Sequence, residues 1–338
     1  MKPISVRRRS IRIAAPALVT ARPLYADKDL PLLVEPAVDG VDLVAWAESH
    51  RALIDEYLHK HGAILFRDFN IGTTTNFEQF VRAGAGELLE YADQTSPRHK
   101  VNGNVYTSTD YPARQSIFLH NESSYAAVWP LRIFFFCVSP ADEGGETPIA
   151  DVRKVLSRIP TEIKQRFVEK GWMLARNFGA GLGLLWQTVF QTSDQKTVED
   201  YCREAGIAFE WQDSGQLTTR QIRKAVVNHP QTGEPVWFNH ATFFHSSTIQ
   251  PEIRQMLLTQ YSERQLPYQT YYGDGADIED ATVELLRAAY RQETVSFGWQ
   301  QGDILMLDNM LVAHGRSPFT GPRKIVVGMA QPFNYTDV

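Results

Sequence analysis

The sequence predicts a mainly β domain with α-helical insertions, and three features of the chain carry that prediction. The run "LRIFFFCVSP" is apolar at successive positions, as a strand buried on both faces must be. The last 45 residues return to short strand-like runs separated by turns. Between these two regions, from Asp151, apolar residues recur at helical spacing. Strands at both ends with helices between them imply one β domain, residues 1–338, closed by its N- and C-terminal parts around a largely helical insertion at 151–293.

The elements follow in order. "SVRRRSIRIAAPALVTAR" pairs arginines with a short apolar run as an export signal does, but that run holds Pro16 and leads straight into Arg22, so residues 1–30 are expected to be an N-terminal arm. "LVAWAESHRALIDEYLHKHG" puts Leu43, Trp46, Ala47, Leu53, Ile54 and Tyr57 on one side of a helix that Gly62 stops. "AILFRDF" follows as a strand, and "TTNFEQFVRAGAGELLEY" as a threonine-capped helix. "TSPRHKVNGNVYTSTDYP" is turn-rich, with a turn at Asn102-Gly103. "SIFLHNESSY" and "LRIFFFCVSP" are strands. "DVRKVLSRIPTEIKQRFVEKG", "TVEDYCREAG", "QPEIRQMLLTQYSERQ" and "DIEDATVELLRAAYRQE" are helical, and "TVSFGWQ", "DILMLDN" and "KIVVGMAQP" are strands again.

Composition excludes several classes of function. With 43% hydrophobic and 22% charged residues among 338, the chain is that of an ordinary globular protein. A formal net charge of −5 offers no broad basic surface for a phosphate backbone, so no nucleic-acid partner is expected. No apolar run approaches the length needed to span a membrane. Cys137 and Cys202 have neither paired nor zinc-like spacing, and reduced thiols suit a cytoplasmic setting.

Within "SIFLHNESSY", His120 and Glu122 interrupt an apolar strand. In an extended strand, residues two apart share a face, so the pair would project side by side. One such triplet is expected by chance, roughly, given nine histidines and 39 acidic residues. Its weight therefore comes from its surroundings. "LDNMLVAHGRSPFTGPRK" supplies His314 at the end of a strand-like segment, followed by Gly315 where the backbone can turn. Two histidines and a carboxylate form the ligand set of a non-haem iron(II) site with open positions, and the same donors also suit zinc. Arg323, across the turn from His314, offers the forked cation that a bidentate carboxylate needs, and the hydroxyl of Thr147 in "GGETP" could reach the same carboxylate. An arginine after a loop is otherwise a solvated charge, and a threonine before a proline a turn residue.

The phrases "VYTSTDYP", "LHNESSY", "GGETPIAD", "VWFNHATFFH" and "DNMLVAHGRSPFTGPRK" resemble those of the TauD/TfdA group of iron(II)- and 2-oxoglutarate-dependent dioxygenases. Within it the chain looks most like the SyrP-like and clavaminate synthase-like small-molecule hydroxylases. The resemblance runs from "GAILFRDF" to "VGMAQPFN". It implies a double-stranded β-helix, a cupin-like jelly roll. It implies iron(II) on His120, Glu122 and His314, and 2-oxoglutarate held through its distal carboxylate by Thr147 and Arg323, with O2 as oxidant and no further catalytic side chain. The implied reaction is oxidation, most simply hydroxylation, of an amino acid or amino-acid-derived natural-product precursor, free or held on a peptidyl carrier protein, with release of succinate and CO2. Scavenging of taurine or another sulfonate is the alternative, and a zinc-binding protein of the same shape without oxygenase activity is a further one.

Two departures from the group are visible. Glu122 stands where taurine dioxygenase has aspartate, and Val327 stands where many relatives have a second arginine four residues after the first. Period-two alternation places Ser116 and Phe118 on the face of His120, which makes them candidates for the substrate pocket, and Asn239 and His240 are candidates for polar substrate contacts. His229 and His245 are expected to be structural. Asp308 or Asn309 is expected to support the metal ligands from behind.

Overall fold

The computed structural model describes residues 18–90, 99–108, 111–179, 183–213 and 215–337. The first seventeen residues of the expected arm lie outside these. The remainder of it is not an arm: strands β1 (Val19–Tyr25) and β2 (Lys28–Pro36) pair antiparallel. The strand signal is hidden because Leu30 and Leu33 enter one apolar cluster while Leu32 and Val34 enter another, which erases the alternation, and Pro31 reads as a breaker.

The helix expected over residues 43–61 is two, α1 (Leu43–Ser49) and α2 (Arg51–His61). At His50 the backbone leaves helical values, its N–H turns back to the Ala47 carbonyl, and its ring nitrogen Nδ1 lies 2.8 Å from the Trp46 carbonyl. Gly62, at φ 75°, stops α2 as expected. Next come β3 (Ala63–Phe66) and α3 (Thr74–Ala85), capped by the Thr73 hydroxyl and ended at Gly86. β4 (Lys100–Asn102) and β5 (Val105–Thr107) form a hairpin about Gly103, and β6 (Ile117–His120), β7 (Val128–Ser139), β8 (Glu143–Gly144) and β9 (Ile149–Asp151) follow.

The insertion contains the expected helices α4 (Val152–Arg158) and α5 (Thr161–Lys170), a short α6 (Trp186–Phe190) that the sequence reading did not include, and the expected α7 (Gln195–Glu204), α8 (Pro251–Leu258) and α9 (Asp280–Glu293). It is less helical than the sequence suggests. β10 (Trp172–Phe178), β11 (Ile207–Trp211) and β12 (Leu217–Arg223) join β15 (Tyr268–Tyr272) in a four-stranded antiparallel sheet, and β13 (Val226–Asn228) pairs with β14 (Pro235–Trp237). These strands bury polar side chains, among them Arg176, Thr218, Thr219, Gln221 and Arg223, so the apolar alternation that would announce them is missing. The chain closes with β16 (Ile304–Asp308), β17 (Val312–Arg316), β18 (Phe319–Thr320) and β19 (Lys324–Asn334). The strand expected over residues 294–300 reduces to a single bridge between Val295 and Ile149.

An eight-stranded sheet in the order β1-β2-β3-β16-β7-β19-β5-β4 shares its core with a three-stranded sheet, β6-β17-β9. β7 shows how. Ile133, Phe135 and Cys137 point into the cluster that also holds Leu119, Ile149, Ala150, Val312 and Ala313 of the smaller sheet. Phe134 and Phe136, between them, pack with Ile54, Leu58, Phe77 and Phe80 of α2 and α3 on the other side. One strand buried on both faces is thus the shared wall of two cores, and the smaller sheet completes the jelly roll.

Candidate active site

β17 lies antiparallel to β6 with His314 directly opposite His120, and their rings are 4.6 Å apart between centroids. Gly315 permits this approach: a Cβ there would come within 2.6 Å of the Ile117 carbonyl oxygen. Glu122 reaches the same place by a route different from the one expected. β6 ends at His120, and Glu122 sits in the turn that follows rather than two places along a strand. Asn309 holds that turn. Its Oδ1 accepts from the Glu122 N–H at 2.8 Å, and its Nδ2 donates to the carbonyls of Glu122 and Pro130, each at 2.9 Å. Asn121 donates in turn to the Asn309 carbonyl at 2.6 Å.

The result is a cluster, with His120 half-buried and the other two buried, in which one ligand atom from each of His120, Glu122 and His314 lies within 4.8 Å of the others. Glu122 Oε2 is 3.7 Å from His314 Nε2. His120 Nδ1 is 2.9 Å from the Phe118 carbonyl, which can only accept, so Nδ1 carries the proton and a neutral ring keeps its lone pair on Nε2. Two imidazoles and a carboxylate converging in this way fit a divalent metal of the iron(II) type. The supporting residue proves to be Asn309, acting on the backbone of Glu122. Asp308 is occupied elsewhere, with Arg132 and His229.

Beside the cluster is a small pocket whose walls include His120, His314, Thr147, Arg316, Arg323 and Val327. Arg323 Nε donates to the Gly145 carbonyl at 2.8 Å and Nη1 to Ser108 Oγ at 3.3 Å. Thr147 Oγ1 accepts from Trp299 Nε1 at 3.2 Å. Burial and then Arg316 lower the Arg323 guanidinium to about 10, which leaves it charged at neutral pH. Among the described residues no carboxylate lies in ion-pair range of Arg316 or Arg323, so the described walls of this pocket are cationic and suit a dianionic oxo-acid. Arg316 was not singled out in the sequence. Its signal is the strand period, since it stands two places beyond His314. The buried guanidinium donates to the carbonyls of Tyr111, Pro112 and Gln115 at 2.9, 2.7 and 2.9 Å and so fixes the loop leading into β6.

A wider cleft of about 740 Å³ meets the cluster at His120 and Glu122. Ser116, Phe118 and His240 line it, as the sequence reading expects, together with Tyr125, Phe243 and Phe244. Asn239 does not. Its carboxamide donates to the Ala225 carbonyl at 2.9 Å and accepts from the Ala241 N–H at 3.0 Å, so it braces the loop beside the cleft. His240 is buried, its Nδ1 2.6 Å from Ser124 Oγ, and burial, then His120, hold its pKa well below the usual imidazole range. His245 and His229 have the structural partners expected of them, the Ile278 carbonyl at 3.0 Å and Asp308 at 3.1 Å.

The family model described as "Taurine catabolism dioxygenase TauD, TfdA family" matches residues 26–329. The chain belongs to the TauD/TfdA family. As a member it is an iron(II)- and 2-oxoglutarate-dependent dioxygenase. It is 39% identical over 311 residues to the dapdiamide synthesis protein DdaC of Enterobacter agglomerans, covering 92% of this chain and 94% of that one. It is 27% identical over 326 residues to a clavaminate synthase-like protein of Arabidopsis thaliana, covering 91% and 95%. Among solved structures it is similar to PvcB from Pseudomonas aeruginosa, with 15% identity, a TM-score of 0.57 and coverage of 96% and 95%. A taurine dioxygenase from Burkholderia xenovorans gives 17%, 0.53 and coverage of 95% and 94%. Among the described residues of this TauD/TfdA protein no helix is long and apolar enough to cross a membrane.

Proposed function

We propose that this TauD/TfdA dioxygenase hydroxylates an amino acid or amino-acid-derived natural-product precursor, with iron(II) held by His120, Glu122 and His314 and 2-oxoglutarate held by Thr147 and Arg323. The observation that carries the reading is that one three-residue cluster borders two recesses, a small cationic pocket and a wide aromatic cleft. The similarity to DdaC, a dapdiamide synthesis protein, over 92% of the chain supports the natural-product class.

When bound, the metal, 2-oxoglutarate and O2 supply the oxidising chemistry and release succinate and CO2. The chain's own part is placement. The Arg323 guanidinium takes the distal carboxylate, and the Thr147 hydroxyl lies in the same pocket to share it. Phe118, Phe243, Phe244 and Tyr125 exclude water from the cleft side and orient the substrate carbon. Glu122 would hold the metal together with the two histidines, where a halide would need the place of that carboxylate, so oxygen transfer rather than chlorination is the expected outcome. Val327 keeps that wall of the pocket apolar, so recognition of the substrate's charge has to come from another element.

The test is anaerobic loading with iron(II), then labelled oxygen, chloride and a panel of free and carrier-bound amino acids. Labelled hydroxyl in one of them, matched by succinate, is the expected result. A chlorinated product, or turnover only with sulfonates, sinks the reading, and preference between free and carrier-bound forms tells whether the substrate arrives tethered.

A further inference from the structure

Arg287, on α9, is half-buried in the wall of the aromatic cleft, and its guanidinium carbon sits 3.7 Å from the centroid of the Phe118 ring. Phe118 lies two residues before His120 on β6 and is packed edge-on against Tyr290, 5.8 Å away, so the cation rests on a platform adjoining the metal cluster. Stacking orients the guanidinium but does not neutralise it.

Among the described residues, the acidic side chains of α9 nearest to it are committed elsewhere. Glu284, one helical turn before Arg287, is paired with Arg291; Asp280 is paired with Arg254 and Glu293 with Arg158. Arg287 itself has no carboxylate in ion-pair range and no hydrogen bond to another described residue. Burial, then Arg291, lower its pKa from the ordinary arginine value, and Glu284 offsets them only in part. Among the described lining residues of the cleft the charged ones are Arg114, which is exposed, Arg287 and Glu122, and Glu122 belongs to the metal cluster. The cleft wall is therefore cationic in a chain whose formal net charge is −5. An uncompensated guanidinium on a ring face beside a reactive centre has the geometry of a fork for an incoming anion.

We propose that Arg287 is the substrate-anchoring residue of this dioxygenase, binding a carboxylate of the substrate, and that it supplies from α9 the charged contact that Val327 does not supply from β19. The proposal rests on the functional reading above and narrows it to substrates that present a free anionic group to the cleft. Phe118 then has two tasks, lining the substrate's path and presenting the guanidinium at a fixed height above β6.

The experiment uses the full-length protein, iron(II)-loaded and saturated with 2-oxoglutarate under anaerobic conditions. Binding of free and N-acetylated amino acids, each as the acid and as its primary amide, with taurine as the sulfonate arm, is measured by calorimetry. Acids are expected to bind about tenfold or more tightly than their amides, because the amide leaves the guanidinium unpaired. Arg287→Met, which keeps apolar contact with Phe118, is expected to abolish that difference, and Arg287→Lys to keep part of it. The proposal is overturned if no acid binds, if acids and amides bind alike, or if the difference survives in Arg287→Met. It is also overturned if Arg287→Met loses affinity for 2-oxoglutarate as steeply as for the acids, since that places the residue at the oxo-acid. Binding of taurine alone, even where it depends on Arg287, overturns both the carboxylate assignment and the amino-acid reading. Failure of the wild-type protein to bind 2-oxoglutarate overturns both, whereas equal affinity for acid and amide in a protein that does bind it overturns this inference alone.

Discussion

His120 and His314 are direct cross-strand partners, one on β6 and one on β17, in a register that slips immediately after His314. Residues nearly 200 positions apart in the chain are thereby fixed by backbone pairing rather than by side-chain contacts, and Gly315 is what lets the two strands approach. A site built in this way is rigid before any metal arrives.

The first prediction concerns these two rings. His120→Ala and His314→Ala are each expected to leave the fold intact, since the backbone pairing remains, while iron(II) content falls to background and 2-oxoglutarate-dependent succinate formation is lost. Metal analysis after anaerobic loading, with circular dichroism as the control for folding, checks this. Full iron occupancy in either variant removes that residue from the metal set.

Asn309 carries the second. Its carboxamide satisfies the Glu122 N–H and the carbonyls of Glu122 and Pro130, all buried. Asn309→Ala leaves those groups unpaired at a cost of about 1–3 kcal/mol each, and it frees the turn that aims the Glu122 carboxylate. Iron(II) affinity is expected to fall roughly 10- to 100-fold, as for other residues that orient ligands from behind. An iron titration of the purified variant reads it, and an unchanged affinity would show that the turn holds its shape without Asn309.

The third prediction is about stability and its pH dependence. Asp308 is fully buried between Arg132 and His229. Burial raises its pKa, but Arg132 and His229 together outweigh that and bring it down to about 2. A carboxyl whose folded value lies below its unfolded one stabilises the fold above the ordinary aspartate range, and that contribution is lost as pH falls through about 4 towards about 2. Asp308→Asn is therefore expected to cost about 3–5 kcal/mol at neutral pH, because it leaves the buried Arg132 only the half-exposed Asp55 at 3.4 Å, and to flatten the acid limb of the stability curve. Urea unfolding at several pH values checks both. Adding Arg132→Met to Asp308→Asn should restore part of the loss, and a further drop instead would show that Arg132 acts through other partners.

How much of this could be read in the sequence depended on what each side chain does. β7, β16 and β19 are legible because their apolar side chains serve two cores. The sheet β11-β12-β10-β15 is not, because Arg176, Gln221 and Arg223 are buried in it and break the apolar pattern. The triplet His120-x-Glu122 led to residues that do converge with His314, but through the wrong geometry, since spacing cannot show that the strand stops at His120 and that Asn309 turns the chain. Arg287 was invisible for a different reason. On a helix rich in charge it reads as one more solvated arginine, and only the tertiary structure shows its neighbours' carboxylates paired with Arg254, Arg291 and Arg158.

The last prediction joins Arg323 to Gly145. The Arg323 guanidinium is held by the Gly145 carbonyl and Ser108 and faces a pocket with no described carboxylate in ion-pair range, so the distal carboxylate of 2-oxoglutarate is its partner under the reading proposed above. Removing one side of such a buried charged pair costs about 2–5 kcal/mol, so Arg323→Ala is expected to raise the apparent KM for 2-oxoglutarate roughly 30-fold or more, with iron content unchanged. Arg323→Lys keeps the charge but loses the fork and should fall between. Gly145 offers an independent route to the same phenotype. It stands at φ 73°, and a Cβ there would come within 2.9 Å of Arg323 Cδ, so Gly145→Ala strains its own turn and pushes the arginine off its position without touching the charge. Its KM for 2-oxoglutarate should rise while its iron content stays at the wild-type level. Steady-state succinate formation at varied 2-oxoglutarate measures all three variants. An unchanged KM in Arg323→Ala moves the clamp to another cation, with Arg316 in the same pocket the next to test.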